Sequence, residues 1–327
     1  MRNIHIDLLK GFAIILVVLG YSVQFLSNND LDNPLFNFIY AFHMPLFMFL
    51  SGYVCFKSQG EKHINLKKRF STLIVPFFVW WIVGNIISVF LGEETISLKT
   101  LLQEPDHGRW FLWVLFFLCV FLQISFIITK KYEEVIMLLI TIFLLFIVRL
   151  LYSNILGIPL MTWHIVFFSF GYIFHKYETF FIPYRHFLGI TSILVFSIGV
   201  PFWHFTITPY TFLENYSLPL PLENKLYLLY KYFVPFSGIL SFYYIFSFLS
   251  YQKLLSKILL LLAPITLEIY VIHYYFLYVL CFLFSKFNHI NLYLQVFFSV
   301  PTALIGSYLI QKLISKNKYI NKILFGK

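Results

Sequence analysis

Long apolar runs recur along almost the whole chain, near residues 8–26, 35–56, 70–91, 110–129, 135–152, 159–176, 187–205, 230–250, 258–284 and 291–314. A helix rises about 1.5 Å per residue, so about twenty such residues cross a hydrocarbon core about 30 Å thick. In hydrocarbon the backbone must satisfy its own hydrogen bonds, which a helix does within each segment. The expected fold is therefore all-α: a polytopic membrane helix bundle of about ten transmembrane helices. No internal repeat or linker divides the chain, so 1–327 is expected to form a single integral-membrane domain. Of its 327 residues 60% are hydrophobic and only 12% charged, and the mean hydropathy is +0.82. That leaves too little polar surface to cover a soluble globule. The first run is too long for a signal-peptide core and lacks a small-residue cleavage site, so it is expected to stay attached as a span.

Charge sets the expected direction of these spans. If both termini face the cytoplasm, 18 of the 24 lysines and arginines fall on the inner side, as the positive-inside rule asks. The net charge of +10 then concentrates on the cytoplasmic rim, where most of the lysines serve topology and attraction to anionic lipid. His63, Lys67, Lys68 and Arg69, at the mouth of the third span, could also dock a phosphorylated cytosolic ligand. No aromatic residues interleave with these bases in an exposed domain, so nucleic-acid binding is not expected. Cys55, Cys119 and Cys281 lie in separate apolar runs with no CxxC or Cys/His cluster; free thiols, and neither a metal site nor a disulfide framework, are expected. The longest outer connections, 92–109 and 206–229, could serve as a lid, although a passive connector is the commoner case.

Ionisable groups inside a span cost about 2.5–3.5 kcal/mol each at a helix centre, so each needs a reason. Asp7 and Lys10 stand three apart at the inner end of the first run, and Tyr21 lies eleven beyond Lys10, nearly on the same helix face and ~16 Å further along the axis. With Ser22 they form a polar stripe. In the second run, "FIYAFHMPLFMFLSGY", His43 is expected at a depth close to that of Tyr21, and Pro45 frees a backbone carbonyl of the preceding turn. His43 alone reads as a structural histidine; beside Pro45 and a polar stripe at its own depth it reads as functional. In "TLEIYVIHYYF", Glu268 and His273 are five apart and so face different neighbours. Arg149, His164 and His204 read as structural.

These segments are where a family shows itself. From "HIDLLKGFAIILVVLGYS" through "FHMPLFMFLSGY", "KKRFSTLIVPFFVWW", "GRWFLWVLFF" and "FFSFGYIFHK" to "LEIYVIHYYF", the chain resembles the membrane-bound acyltransferase 3 family, bacterial O-acetyltransferases of surface polysaccharides and lipids. The resemblance implies about ten spans in the bacterial inner membrane. It also implies acetyl-CoA or another acyl-CoA as a cytosolic donor substrate, with no permanently bound cofactor, and a glycan or lipid-linked sugar as acceptor. On the same basis Lys10 and Arg69, with Lys68 beside it, fall at basic positions near the donor, Trp110 matches the tryptophan of "WFL", and His273 matches the histidine of an Ile-Tyr-x-x-His segment, the role of Glu268 being left open.

The chain departs from the family pattern at Tyr21, where members usually carry the histidine thought to be the catalytic base. A phenol, with an ordinary pKa of about 10, cannot take a proton at neutral pH as imidazole does, although it can donate a hydrogen bond. Two readings follow. In the first the chain is an O-acyltransferase, with His43 as base and Tyr21 positioning the acceptor, by direct transfer or through an acyl-enzyme. In the second it is a non-catalytic membrane protein that binds or exports a polysaccharide.

Overall fold

In the computed structural model, residues 3–27, 32–57, 62–92, 94–105, 109–151, 155–204, 220–249, 254–286 and 290–327 are described. Apart from turns and short connecting stretches they are helical, with no strand among them. The helices are α1 (Ile4–Leu26), α2 (Pro34–Tyr40), α3 (His43–Cys55), α4 (Leu66–Arg69), α5 (Val75–Leu91), α6 (Leu98–Gln103), α7 (Trp110–Ile128), α8 (Glu133–Leu151), α9 (Ile158–Lys176), α10 (Glu178–Phe181), α11 (Arg185–Gly199), α12 (Leu220–Ser247), α13 (Leu254–Leu262), α14 (Thr266–Ser285), α15 (Leu292–Ile314) and α16 (Lys318–Phe325). Among the described residues, eight helical segments are long and apolar enough to cross a membrane. The two other expected runs, 135–152 and 230–250, are also helical as α8 and α12. Glu133, Glu134 and Arg149 punctuate the first of these, and tyrosines and serines dilute the second. Large apolar side chains stay on the outside, among them Phe90, Ile127, Phe187, Ile198 and Phe297, which is the surface that lipid covers. Of the connection expected at 206–229, residues 206–219 lie outside the described residues.

The chain divides into two compact units: 1–47 with 179–311, and 48–178 with 312–327. In the first, α1 packs against α2, α12, α13 and α14, and about half of its residues, spread around the helix, are buried. Small residues allow the close approaches. A Cβ on Gly11 would fall 2.2 Å from the Leu259 carbonyl oxygen of α13, and one on Gly20 would meet the Tyr40 ring at 3.0 Å. Contacts further along α1 continue in the same sense: Tyr21 meets His273, and the Phe25 carbonyl accepts from Cys281 Sγ at 3.4 Å. The α13–α14 segment therefore runs parallel to α1. On another side of α1, His5 Nε2 donates to the Tyr243 carbonyl of α12 at 2.9 Å, and Phe12 lies against Phe242 and Phe246.

In the second unit α3 and α9 are pressed backbone to backbone. A Cβ on Gly52 would sit 1.9 Å from the Phe168 carbonyl oxygen, and one on Gly171 would sit 1.9 Å from that of Phe49. One end of this pair is clamped by charge. Glu133 Oε1 accepts from Lys62 Nζ (2.6 Å), Lys176 Nζ (2.9 Å) and Tyr172 (2.9 Å), while Lys176 also reaches Glu134 (2.8 Å). The segment between Lys62 and α4 is tied again where the Ile64 N–H donates to Gln123 Oε1 at 2.6 Å. Between α4 and α5 the backbone makes a π-helical turn, Phe70–Ile74, of the kind often found at functional sites.

Candidate functional site

The first unit gathers polar and aromatic groups from α1, α2, α3 and α14. His43 and His273 are both buried. His43 Nδ1 lies 2.8 Å from the Ile39 carbonyl oxygen, and His273 Nδ1 lies 2.9 Å from that of Ile269. A carbonyl oxygen only accepts, so in each ring Nδ1 carries the proton. In the neutral form, Nε2 of each imidazole is then the basic nitrogen.

The two histidines are built by the same local device. "IYAFH" (39–43) and "IYVIH" (269–273) both place a tyrosine three residues before the histidine and take the anchoring carbonyl from the residue before that tyrosine. The Tyr40 ring stands edge-on to His43 at 4.6 Å, and Tyr270 lies 6.2 Å from His273. In α14 the histidine reaches its fourth-previous carbonyl within a regular helix. Around His43 the helix is interrupted between Tyr40 and His43, with Pro45 just beyond, and the same spacing still closes the bond.

Tyr21 joins the two halves. Its half-buried ring meets His273 edge-on at 5.2 Å and Tyr274 at 6.4 Å. Tyr40, whose hydroxyl donates to Gln24 Oε1 at 2.9 Å, packs over Gly20, one residue from Tyr21. Tyr40 thus touches both His43 and the residue before Tyr21, an intermediary that sequence reasoning did not single out. Gln24 and Tyr270 were missed as well. The available signal was the pair of Ile-Tyr-x-x-His segments, whose i,i+3 spacing puts tyrosine and histidine on one helix face.

The other candidates are distributed as follows. Ser22 is buried and donates to Val18 of its own helix at 2.7 Å, so its hydroxyl is used locally. Asp7 and Lys10 pair at 3.9 Å near the start of α1, both half-buried. Glu268 is buried in the first turn of α14, about 7.5 Å along the axis from His273, toward the end where Gly11 meets Leu259. Along the seam of α1 and α14 the order is therefore Asp7 and Lys10, then Glu268, then the Tyr21–His273 pair.

Arg69, Lys68 and Trp110 belong to the second unit. Asn65 caps α4 by accepting from the Lys68 N–H at 2.9 Å. Lys67 and Lys68 are exposed, whereas Arg69 is half-buried, with Nη2 4.0 Å from Cys55 Sγ. Trp110 stacks on His164 at 4.8 Å, which assigns that histidine a packing partner. His204 lies 4.0 Å from Asp32, and its carbonyl accepts from Lys231 at 2.8 Å.

A family profile described as an acyltransferase domain matches residues 3–312. Among curated proteins, the nodulation protein NolL of Mesorhizobium japonicum is 29% identical over 133 residues, 38% of this chain and 36% of the relative. NolL of Sinorhizobium fredii is 30% identical over 148 residues, 40% of this chain and 37% of the relative. The chain thus spans a little over a third of the length of these relatives. No solved structure matches.

Proposed function

The chain belongs to the membrane-bound acyltransferase 3 family, and from that premise we propose that it is an O-acyltransferase of a bacterial inner membrane, with both units serving one acyltransferase domain. It moves an acyl group, acetyl in our reading, from cytosolic acyl-CoA to a hydroxyl of a surface glycan or lipid-linked sugar. The observation that carries this reading is the pair of buried imidazoles, each with Nδ1 tied to a backbone carbonyl so that Nε2 is the basic nitrogen, gathered about Tyr21 and Tyr40.

In direct transfer, the acceptor hydroxyl gives its proton to His43 Nε2 as its oxygen attacks the thioester carbonyl carbon. The carbon–sulfur bond then breaks, the CoA thiolate leaves, and the imidazolium returns the proton to it. Tyr21 donates a hydrogen bond that orients the acceptor, and His273 holds the Tyr21 ring. Each unit carries its own candidate cations for the phosphates of the donor, Lys10 in the first and Lys68 with Arg69 in the second. The oxygen–sulfur exchange balances without any redox partner or metal.

The test is acyl transfer from labelled acetyl-CoA in membranes, read by mass spectrometry of the surface glycan. His43→Ala is expected to lower transfer about a hundredfold or more, and His273→Ala by less. A wild-type protein whose deletion changes glycan export but not acyl content would overturn the enzyme reading in favour of the non-catalytic one, which the tyrosine at position 21 invites. Loss of activity in His273→Ala with His43→Ala unchanged would exchange the two roles.

A further inference from the structure

Residues 312–327 hold five lysines and no acidic residue. Within them, α16 is opened by Asn317, whose side chain accepts from the N–H groups of Tyr319 and Ile320 at 3.0 and 3.2 Å. It is closed by Gly326 at φ 68°. At about 100° per residue, Asn321, Leu324 and Phe325 share one face, Tyr319, Ile320 and Ile323 share another, and Lys318 and Lys322 lie on the flank between them.

The first face is docked on the protein. Phe325 is fully buried and stacks on Trp80 at 6.0 Å, and Trp80 Nε1 donates to the Leu324 carbonyl at 2.8 Å. The second is bare, with Tyr319 83%, Ile323 57% and Ile320 45% exposed. The membrane-spanning α15 ends at Ile314, only a short turn before α16, so the chain has no length in which to leave the bilayer boundary. Apolar side chains flanked by lysines at that depth fit the region between lipid headgroups and acyl chains. The charge complements anionic lipid, and the continuity with a membrane span favours a bilayer surface over a soluble partner or a second copy.

α16 also touches the turn that follows the proposed donor cations. Ser71 Oγ donates to the Gly326 carbonyl at 3.2 Å, and a Cβ on Gly326 would fall 1.9 Å from the Ser71 carbonyl oxygen. Ser71 sits in the π-helical turn directly after Arg69. We propose that α16 is an interfacial foot that binds the anionic bilayer surface through Lys318, Lys322 and the Tyr319, Ile320, Ile323 face, and in doing so braces the Phe70–Ile74 turn that carries Arg69 at its start.

The experiment is hydrogen exchange of peptides 315–327 and 66–75 in the full-length protein, in nanodiscs of phosphatidylcholine alone and of phosphatidylcholine with one-third phosphatidylglycerol. Both peptides are expected to exchange more slowly in the anionic discs. Replacing Lys318→Gln and Lys322→Gln together should remove about thirtyfold of that protection, corresponding to about 1 kcal/mol per lysine. Equal exchange in the two lipids would overturn the proposal, as would protection that follows protein density, which marks a second copy. Protection of 315–327 with 66–75 unmoved would overturn the bracing. None of these readings needs turnover, so they stand or fall separately from acyl transfer.

Discussion

Tyr21 presents its ring to His273, and in the proposed transfer its hydroxyl donates a hydrogen bond to the acceptor. Tyr21→Phe removes one hydroxyl without changing the packing and is expected to slow transfer about tenfold, the loss of one hydrogen bond worth about 1 kcal/mol or slightly more. Initial rates with saturating acyl-CoA check this. Outside the apolar run, Glu133 offers a pH prediction. Burial pushes its carboxyl up, but the hydrogen bonds from Lys62 and Lys176 outweigh this and bring it down to about 2, below the ordinary 4.5. Because the folded value is the lower one, this carboxylate stabilises the fold at every pH above about 4.5, and that contribution is lost as pH falls through about 2. Acid unfolding followed by tryptophan fluorescence should show this phase in the wild type and lack it in Glu133→Gln. The same variant should be about 1–3 kcal/mol less stable at neutral pH, since it leaves Lys62 without its carboxylate and Lys176 with Glu134 alone.

At the scale of helices, the close approaches are made by glycine and do not tolerate a side chain. Gly171→Ala would drive a methyl group into the Phe49 carbonyl of α3. Because the obstacle is backbone, the two helices must part, at a cost of about 1–3 kcal/mol. Thermal unfolding in detergent measures this; an unchanged midpoint would contradict the packing of α3 on α9. These contacts were not legible beforehand: a glycine in an apolar run carries no label saying which helix will press against it. The existence of the helices was legible, since their length and apolarity are written locally. The break between α2 and α3 was only half legible: Pro45 announces a lost hydrogen bond, but not that the interruption falls between Tyr40 and His43.

For the whole molecule, the charge distribution predicts that reporters fused at both termini will register on the cytoplasmic side and one inserted at 104 on the outer side. Scanning with a membrane-impermeant thiol reagent checks each independently. α1 and α14 run parallel, as the first and ninth of alternating spans must whichever face the N-terminus occupies, so the reporters alone decide the orientation. By itself the sequence determined that the chain is a helical membrane bundle, because apolar length and the need to satisfy backbone hydrogen bonds in hydrocarbon leave no other local solution. Only the tertiary structure decided that Tyr21, Tyr40, His43 and His273 share one neighbourhood while Ser22, next to Tyr21, bonds back to its own helix. Which polar side chains meet depends on how helices distant in sequence are rotated and set in depth against one another, and residue-by-residue hydropathy carries neither quantity.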